Sequence, residues 1–76
     1  MKHLQRLRIQ SKMTQRELAE LTGVSQRSIE GYESGFRDIN GAKGIFLWRI
    51  AQVLKCQIED LLELEREKHE KSRFKN

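Results

Sequence analysis

The chain has 76 residues, which is enough for one small domain and excludes a two-domain enzyme. Hydrophobic residues make up 37% of it and charged residues 34%, so we expect a small folded domain with a strongly polar surface. The net charge of +4 agrees with nucleic acid binding but is too small to establish it. Such binding would depend on where the charges lie.

No apolar run approaches the roughly 18 residues of a membrane span, and the N-terminus lacks the apolar stretch of a signal peptide. The single cysteine, Cys56, excludes an internal disulfide and is typical of a reducing compartment. We therefore expect a cytoplasmic protein without a membrane partner.

No catalytic site, cofactor or small-molecule ligand is indicated by the sequence. Cys56 has no nearby histidine to activate it, so its predicted role is packing. His3 and His69 are too distant from each other for a recognisable metal motif, so no metal site is predicted.

Proline is absent and apolar residues recur at spacings of three and four, which predicts an all-α fold. Leu4, Leu7 and Arg8 define one face of a first helix, which should end near Lys12. Residues 14 and 17, threonine and glutamate, have the spacing of a capping box and predict the start of a second helix.

The second helix should end at Gly23, because glycine readily adopts the left-handed conformation found at helix C-termini. Ser25 is then a good N-cap for a third helix over about residues 26–34, which Gly35 should end.

Asn40 is the expected cap of a fourth helix, and a fifth helix should begin at Ile58. Acidic residues in the first turn of the fifth helix complement the helix dipole. The buried faces of these two helices should be formed by the apolar residues Leu47, Ile50, Ala51, Leu54, Leu61 and Leu62. Residues 65–76 form a charged segment, which we expect to be a helical extension or a frayed tail outside the domain of residues 1–64.

Two short helices joined by residues 22–25 form a helix-turn-helix, although this spacing alone also fits an ordinary helical hairpin. The string TQRELAELTGVSQRSIEGYESG closely resembles the helix-turn-helix of the phage repressor and Cro family, also called XRE type. The resemblance extends from about Leu4 to Leu62. It implies a compact five-helix, lambda-repressor-like fold that binds double-stranded DNA.

The resemblance also implies which residues would read bases. The third helix is the recognition helix of this family, and its exposed face lies in the DNA major groove. The residues on that face are here Gln26, Arg27, Ser28, Glu30 and Gly31. Glutamine can bond adenine bidentately and arginine can bond guanine, whereas glycine offers no side chain for a contact.

Two residues match positions that contact phosphate in the family, and two more would add to the contact. Thr14 and Gln15 stand at the start of the second helix, where the positive helix end favours an anion. Ser34 and Arg37 would extend this clamp on the far side of the third helix.

Arg8 and Glu33 match a family ion pair that ties the first helix to the end of the third. If buried, such a pair adds little net stability, yet removing one partner strands a charge. Its implied role is structural.

The chain departs from the family pattern at three places. The segment 36–44 is longer than usual by about three residues, Lys55 stands where glycine often ends the fourth helix, and Gln57 replaces a stronger N-cap. The fourth helix also carries Ile45, Phe46 and Trp48 outside its core face, which predicts a contact surface. Because the family commonly dimerises to read two half-sites, this surface is the expected homodimer interface.

The leading hypothesis is therefore a sequence-specific DNA-binding transcriptional regulator, expected to be a repressor that acts by occupying its operator. An antitoxin or a restriction-modification controller is a more specialised version of the same reading. A protein-interaction adaptor on the same scaffold is the alternative from another class, because a fold does not dictate function.

Overall fold

The computed structural model describes residues 1–64. The charged segment 65–76, which we expected to be a helical extension or a frayed tail, lies outside the described residues. The α-helices in the described part are α1 (His3–Gln10), α2 (Gln15–Thr22), α3 (Gln26–Ser34), α4 (Gly44–Leu54) and α5 (Ile58–Leu61), with a short 3-10 turn at Ile39–Gly41. No strand occurs between residues 1 and 64. The all-α prediction is confirmed.

The capping box predicted at the start of α2 is present. The Thr14 hydroxyl accepts from the Glu17 amide at 3.0 Å, and the Glu17 carboxylate accepts from the Thr14 amide at 2.8 Å. The helix ends at Gly23, which has a left-handed φ of 77°. These local hydrogen bonds and the glycine fix both ends of α2.

Helix α3 begins and ends where the sequence predicts. The Ser25 hydroxyl accepts from the Ser28 amide at 3.0 Å, and Gly35 follows the last helical residue with a φ of 86°. Residues 23–25 are therefore the whole connection between α2 and α3, and they bring the two helices together as a helix-turn-helix.

Each helix contributes at least one residue that is almost completely buried, and the 3-10 turn adds Ile39. The residues from the five helices in chain order are Leu4, Leu18, Ile29, Ile50 and Leu61. Since one core joins all five short helices, their mutual packing has to stabilise elements that would be marginal alone. This core holds α3 against α1 and α2 with one face left outside.

The prediction of Asn40 as the cap of α4 is wrong. Lys43 occupies the N-cap position without a side-chain hydrogen bond, and Asn40 lies in the 3-10 turn capped by Asp38. The Asn40 amide instead donates to the carbonyl of Glu63 and accepts from its amide, both at 2.9 Å. The longer loop thus ties the chain after α5 to the region after α3.

The turn between α4 and α5 forms despite its unusual residues. Lys55 adopts a left-handed conformation with a φ of 56°, in the place where glycine is common. The Gln57 amide donates to the Asp60 carboxylate at 2.9 Å, so a first-turn acid satisfies an amide at the start of α5.

Candidate nucleic-acid interface

The exposed face of α3 carries Gln26, Arg27 and Glu30, while Ser28 is half-buried. This face is outward because the opposite side of the helix, with Ile29 and Tyr32, packs into the core. The N-terminal half of α3 therefore presents an amide, a guanidinium and a carboxylate to solvent.

The amide of Gln26 is oriented by its own helix. Its nitrogen donates to the Glu30 carboxylate at 3.3 Å, one helical turn later. An amide has a second N–H and a carbonyl oxygen, so Gln26 keeps a donor and an acceptor for a base edge.

Gly31 differs from the sequence expectation of an exposed position, because it is buried. The side chain of Arg37 lies across it, and a methyl group built on Gly31 would be 2.8 Å from the Arg37 Cγ. The Arg37 guanidinium reaches the Ser28 hydroxyl, to which it donates at 3.1 Å. Arg37 therefore lies along α3 rather than beyond its far side.

The Ser34 hydroxyl is used by the end of α3. It donates to the Gly31 carbonyl and accepts from the Phe36 amide, each at 3.2 Å. Phe36, next to this helix end, is 89% exposed. Ser34 thus shapes the loop that delivers Arg37 to the surface of α3.

Arg8 and Glu33 form a two-pronged ion pair between α1 and α3. The Arg8 Nε and Nη2 donate to the two Glu33 carboxylate oxygens at 2.7 and 3.1 Å. The side chains are only 11% and 3% exposed. The hydrogen bond to Glu33 raises the pKa of Arg8 against the opposing effect of burial, so the guanidinium stays charged.

The network continues in two directions. The Arg8 Nη1 donates to the Met13 carbonyl at 2.6 Å, which fixes the turn before α2. The Gln15 amide donates to the Glu33 Oε1 at 2.9 Å. Glu33 thereby orients Gln15, and the second N–H of that amide remains available to an acceptor outside the protein.

The first turn of α2 lies beside this network. Thr14 is exposed, although its hydroxyl already accepts from the Glu17 amide in the capping box. The first backbone amides of a helix lack intrahelical acceptors and carry the positive end of its dipole. The Glu17 carboxylate of the capping box also lies at this end of α2, and Gln15 is the first residue of the helix.

Helix α4 exposes part of the apolar surface predicted from its sequence. Ile45 is 49% exposed and Trp48 is 51% exposed. Phe46 is half-buried against the core, and the Lys43 ammonium lies 5.6 Å from the centre of its ring. The outward apolar surface of α4 therefore centres on Ile45 and Trp48.

Cys56 packs against the core from a half-buried position at the end of α4. Burial, and then the nearby Asp60 carboxylate, raise the pKa of its thiol. Both effects disfavour the thiolate, which is the reactive form.

Among residues 1–64, no helix is long and apolar enough to cross a membrane.

The model of a protein family described as helix-turn-helix matches residues 4–61. The match includes all five helices from the second residue of α1 to the end of α5. No curated protein and no solved structure matched the chain.

Proposed function

Because this chain belongs to the XRE-type helix-turn-helix family of DNA-binding regulators, we propose that it is a sequence-specific transcriptional repressor that reads its operator with α3. The observation that carries the proposal is the outward pair Gln26 and Arg27 at the N-terminal end of α3. The Ser25 cap holds that end, and the buried face of α3 holds the helix. The pair therefore projects from a rigid support, as base reading requires.

In this proposal Arg27 bonds the O6 and N7 atoms of a guanine, and Gln26 bonds the N6 and N7 atoms of an adenine. Glu30 and Ser28 contribute in second place, since a carboxylate accepts from the cytosine N4 amine and a hydroxyl bonds several base edges. Glu30 also holds the Gln26 amide, so it limits the angle at which Gln26 meets a base.

We propose that Thr14 and Gln15 contact a phosphate of the operator at the start of α2. Ser34, at the end of α3, is the candidate phosphate contact at the other end of the interface. The positive end of α2 and the free N–H of Gln15 support this assignment. The Glu33 carboxylate bonds both Arg8 and Gln15, so the phosphate contact and the recognition helix are held in one register.

The proposed protein acts as a homodimer on two half-sites, with Ile45 and Trp48 of α4 at the centre of the interface. Half-exposed apolar side chains of this size favour a contact surface. A dimer places two α3 helices one helical turn of DNA apart, which matches a pseudo-palindromic operator. Repression then follows from occupying the DNA.

The test is selection of bound duplexes from a random DNA pool, followed by titrations on the selected operator and on a scrambled duplex. Arg27→Ala should cost roughly 1 to 3 kcal/mol on the operator and relax the preference at one guanine. Gln15→Ala should weaken both duplexes by similar factors, because each of them presents phosphates.

Controls separate DNA contacts from changes in charge or stability. Arg6→Ala removes an equal charge from the exposed side of α1, and Gln52→Ala removes an exposed amide from α4. Both should bind like the unaltered protein. Thermal melting of each variant is needed because Gln15 also bonds Glu33. If Arg27→Ala lowered both affinities equally, Arg27 would be a phosphate ligand and α3 would enter the groove in another register.

The adaptor alternative is favoured by one observation, the exposed Trp48 on α4. It predicts that the folded protein selects no sequence from the pool and binds no duplex at low salt. An antitoxin or controller of the same fold would select a sequence as the repressor does.

A further inference from the structure

We propose that Arg37, from the loop after α3, reads a guanine in the major groove in place of a side chain at position 31. This inference rests on the proposed function, because it requires that α3 enters the groove. It replaces the phosphate contact that the sequence predicts for Arg37.

Gly31 follows Arg27 by one helical turn, so a side chain at position 31 would stand beside Arg27 on the surface of α3. Arg37 reaches this place from the loop. Its backbone amide donates to the Gly31 carbonyl at 3.0 Å. Its side chain then runs back towards the start of α3, where the Nη1 atom donates to the Ser28 hydroxyl at 3.1 Å.

The Arg37 side chain can lie across α3 because Gly31 has no side chain. A methyl group there would lie 2.8 Å from the Cγ and 2.9 Å from the Cδ of Arg37, well inside the ordinary separation of carbon atoms. The backbone of Gly31 is helical with a negative φ, so its conformation does not call for glycine. Glycine in a helix interior weakens the helix. Room for the Arg37 stem is the benefit that offsets this cost.

The position of the guanidinium favours a base over a phosphate. Ser28 lies in the first turn of α3, the end of a recognition helix that approaches the base edges. A guanidinium has five N–H donors in a fixed fork, and Ser28 takes a bond from only one nitrogen. Within residues 1–64 Arg37 makes no salt bridge. The remaining fork matches the O6 and N7 acceptors of guanine.

The test measures affinity for the selected operator and for versions altered at each base pair, at one salt concentration. Arg37→Ala should lose roughly 5- to 150-fold on the operator and flatten the preference at one guanine near the base read by Arg27. Gly31→Ala should flatten the preference at the same base pair, because the new methyl displaces the arginine stem. Its melting temperature should not fall, since alanine is the better helix former.

Arg37→Lys distinguishes reading from clamping. Lysine keeps the charge but lacks the planar fork, so it should also lose the guanine preference, whereas a phosphate contact would survive. The control Arg6→Ala removes one charge from α1 and should leave the preference intact. Melting curves show whether each variant is folded.

Equal weakening of all duplexes by Arg37→Ala would assign Arg37 to a phosphate and overturn the inference. Unaltered selectivity of folded Gly31→Ala would overturn it as well. If the unaltered protein selected no sequence, the proposed function itself would fail. That result is distinct from selectivity that survives the loss of Arg37.

Discussion

A single buried carboxylate, that of Glu33, connects three helices at the residue scale. It bonds Arg8 of α1 and Gln15 of α2 from its own position near the end of α3. A buried charge is costly when unpaired. The bond to Arg8 therefore restricts the position of α1 relative to α3, and the bond to Gln15 restricts the position of α2. The surface proposed to read bases and the surface proposed to hold phosphate therefore share one internal support.

Removing the cation of this network should destabilise the fold. Arg8→Met should lower the free energy of unfolding by about 3 kcal/mol, because it leaves the Glu33 charge buried without its partner. The double variant Arg8→Met with Glu33→Leu should recover much of that loss, since no charge remains inside. Urea denaturation followed by circular dichroism measures both values.

Arg6→Met is the matched control, because Arg6 is an exposed arginine on the same helix. It should change the free energy of unfolding by less than about 0.5 kcal/mol. If the single variant, the double variant and the control all had the same free energy of unfolding as the unaltered protein, the ion pair would not restrain α1 and α3.

At the element scale, the helices differ in how their ends are stabilised. Helices α2 and α3 each begin at a hydroxyl cap and end at a left-handed glycine. Helix α4 begins without a side-chain cap and ends at Lys55, which is left-handed without being glycine. Helix α4 therefore depends more on its buried face than on its termini.

Lys55→Gly should raise the free energy of unfolding by about 0.5 to 1 kcal/mol. A left-handed conformation costs an ordinary residue roughly 1 to 2 kcal/mol. The greater entropy of glycine in the unfolded chain offsets part of that gain, roughly 0.5 to 1 kcal/mol. The measurement is again urea denaturation.

Gln52→Gly provides the comparison, because it puts glycine at an exposed position inside α4 with ordinary helical backbone. That variant should lose about 1 kcal/mol. A loss of stability in both glycine variants would mean that Lys55 is not strained.

For the whole molecule, one core positions the exposed face of α3, which we propose reads bases, and leaves a second, apolar surface on α4. The five helices share that core, and the Asn40 amide fastens the chain beyond α5 to the loop after α3. The net charge of +4 is small, so we expect the salt dependence of DNA binding by a monomer to be shallow. The proposed dimer would neutralise about twice as many phosphates as one copy.

Trp48→Ser should convert the proposed dimer to a monomer and reduce the salt dependence of binding. Log K against log salt should be linear with a slope of about −0.9 for each phosphate neutralised. The unaltered protein on a full operator should therefore give about twice the slope of Trp48→Ser on a half-site. Sedimentation equilibrium measures the oligomeric state directly.

Ile9→Ser is the control, because Ile9 is a half-exposed apolar residue on α1. Like Trp48→Ser, this substitution leaves the net charge unchanged. It should sediment and bind like the unaltered protein. If the unaltered protein sedimented as a monomer at every concentration, the proposed dimer would be wrong.

The sequence by itself determined the ends of α2 and α3, because their caps and glycines act on amides within a few residues. The Thr14 and Glu17 box and the left-handed Gly23 and Gly35 are of this local kind. Helical periodicity also predicted the buried face of α4. The pairing of Arg8 with Glu33, 25 positions apart, was available only through the family resemblance. The local pattern contained no signal for it.

Only the tertiary structure decided what the long loop does. Asn40 is a plausible cap in sequence, yet it bonds Glu63, which is 23 positions away. The family resemblance placed Gly31 on the exposed side of α3, yet Arg37 covers it. The Gln15 amide likewise bonds Glu33 from another helix. Each of these contacts depends on how helices and loops pack, and residue spacing along one helix contains no information about what a different segment places on its surface.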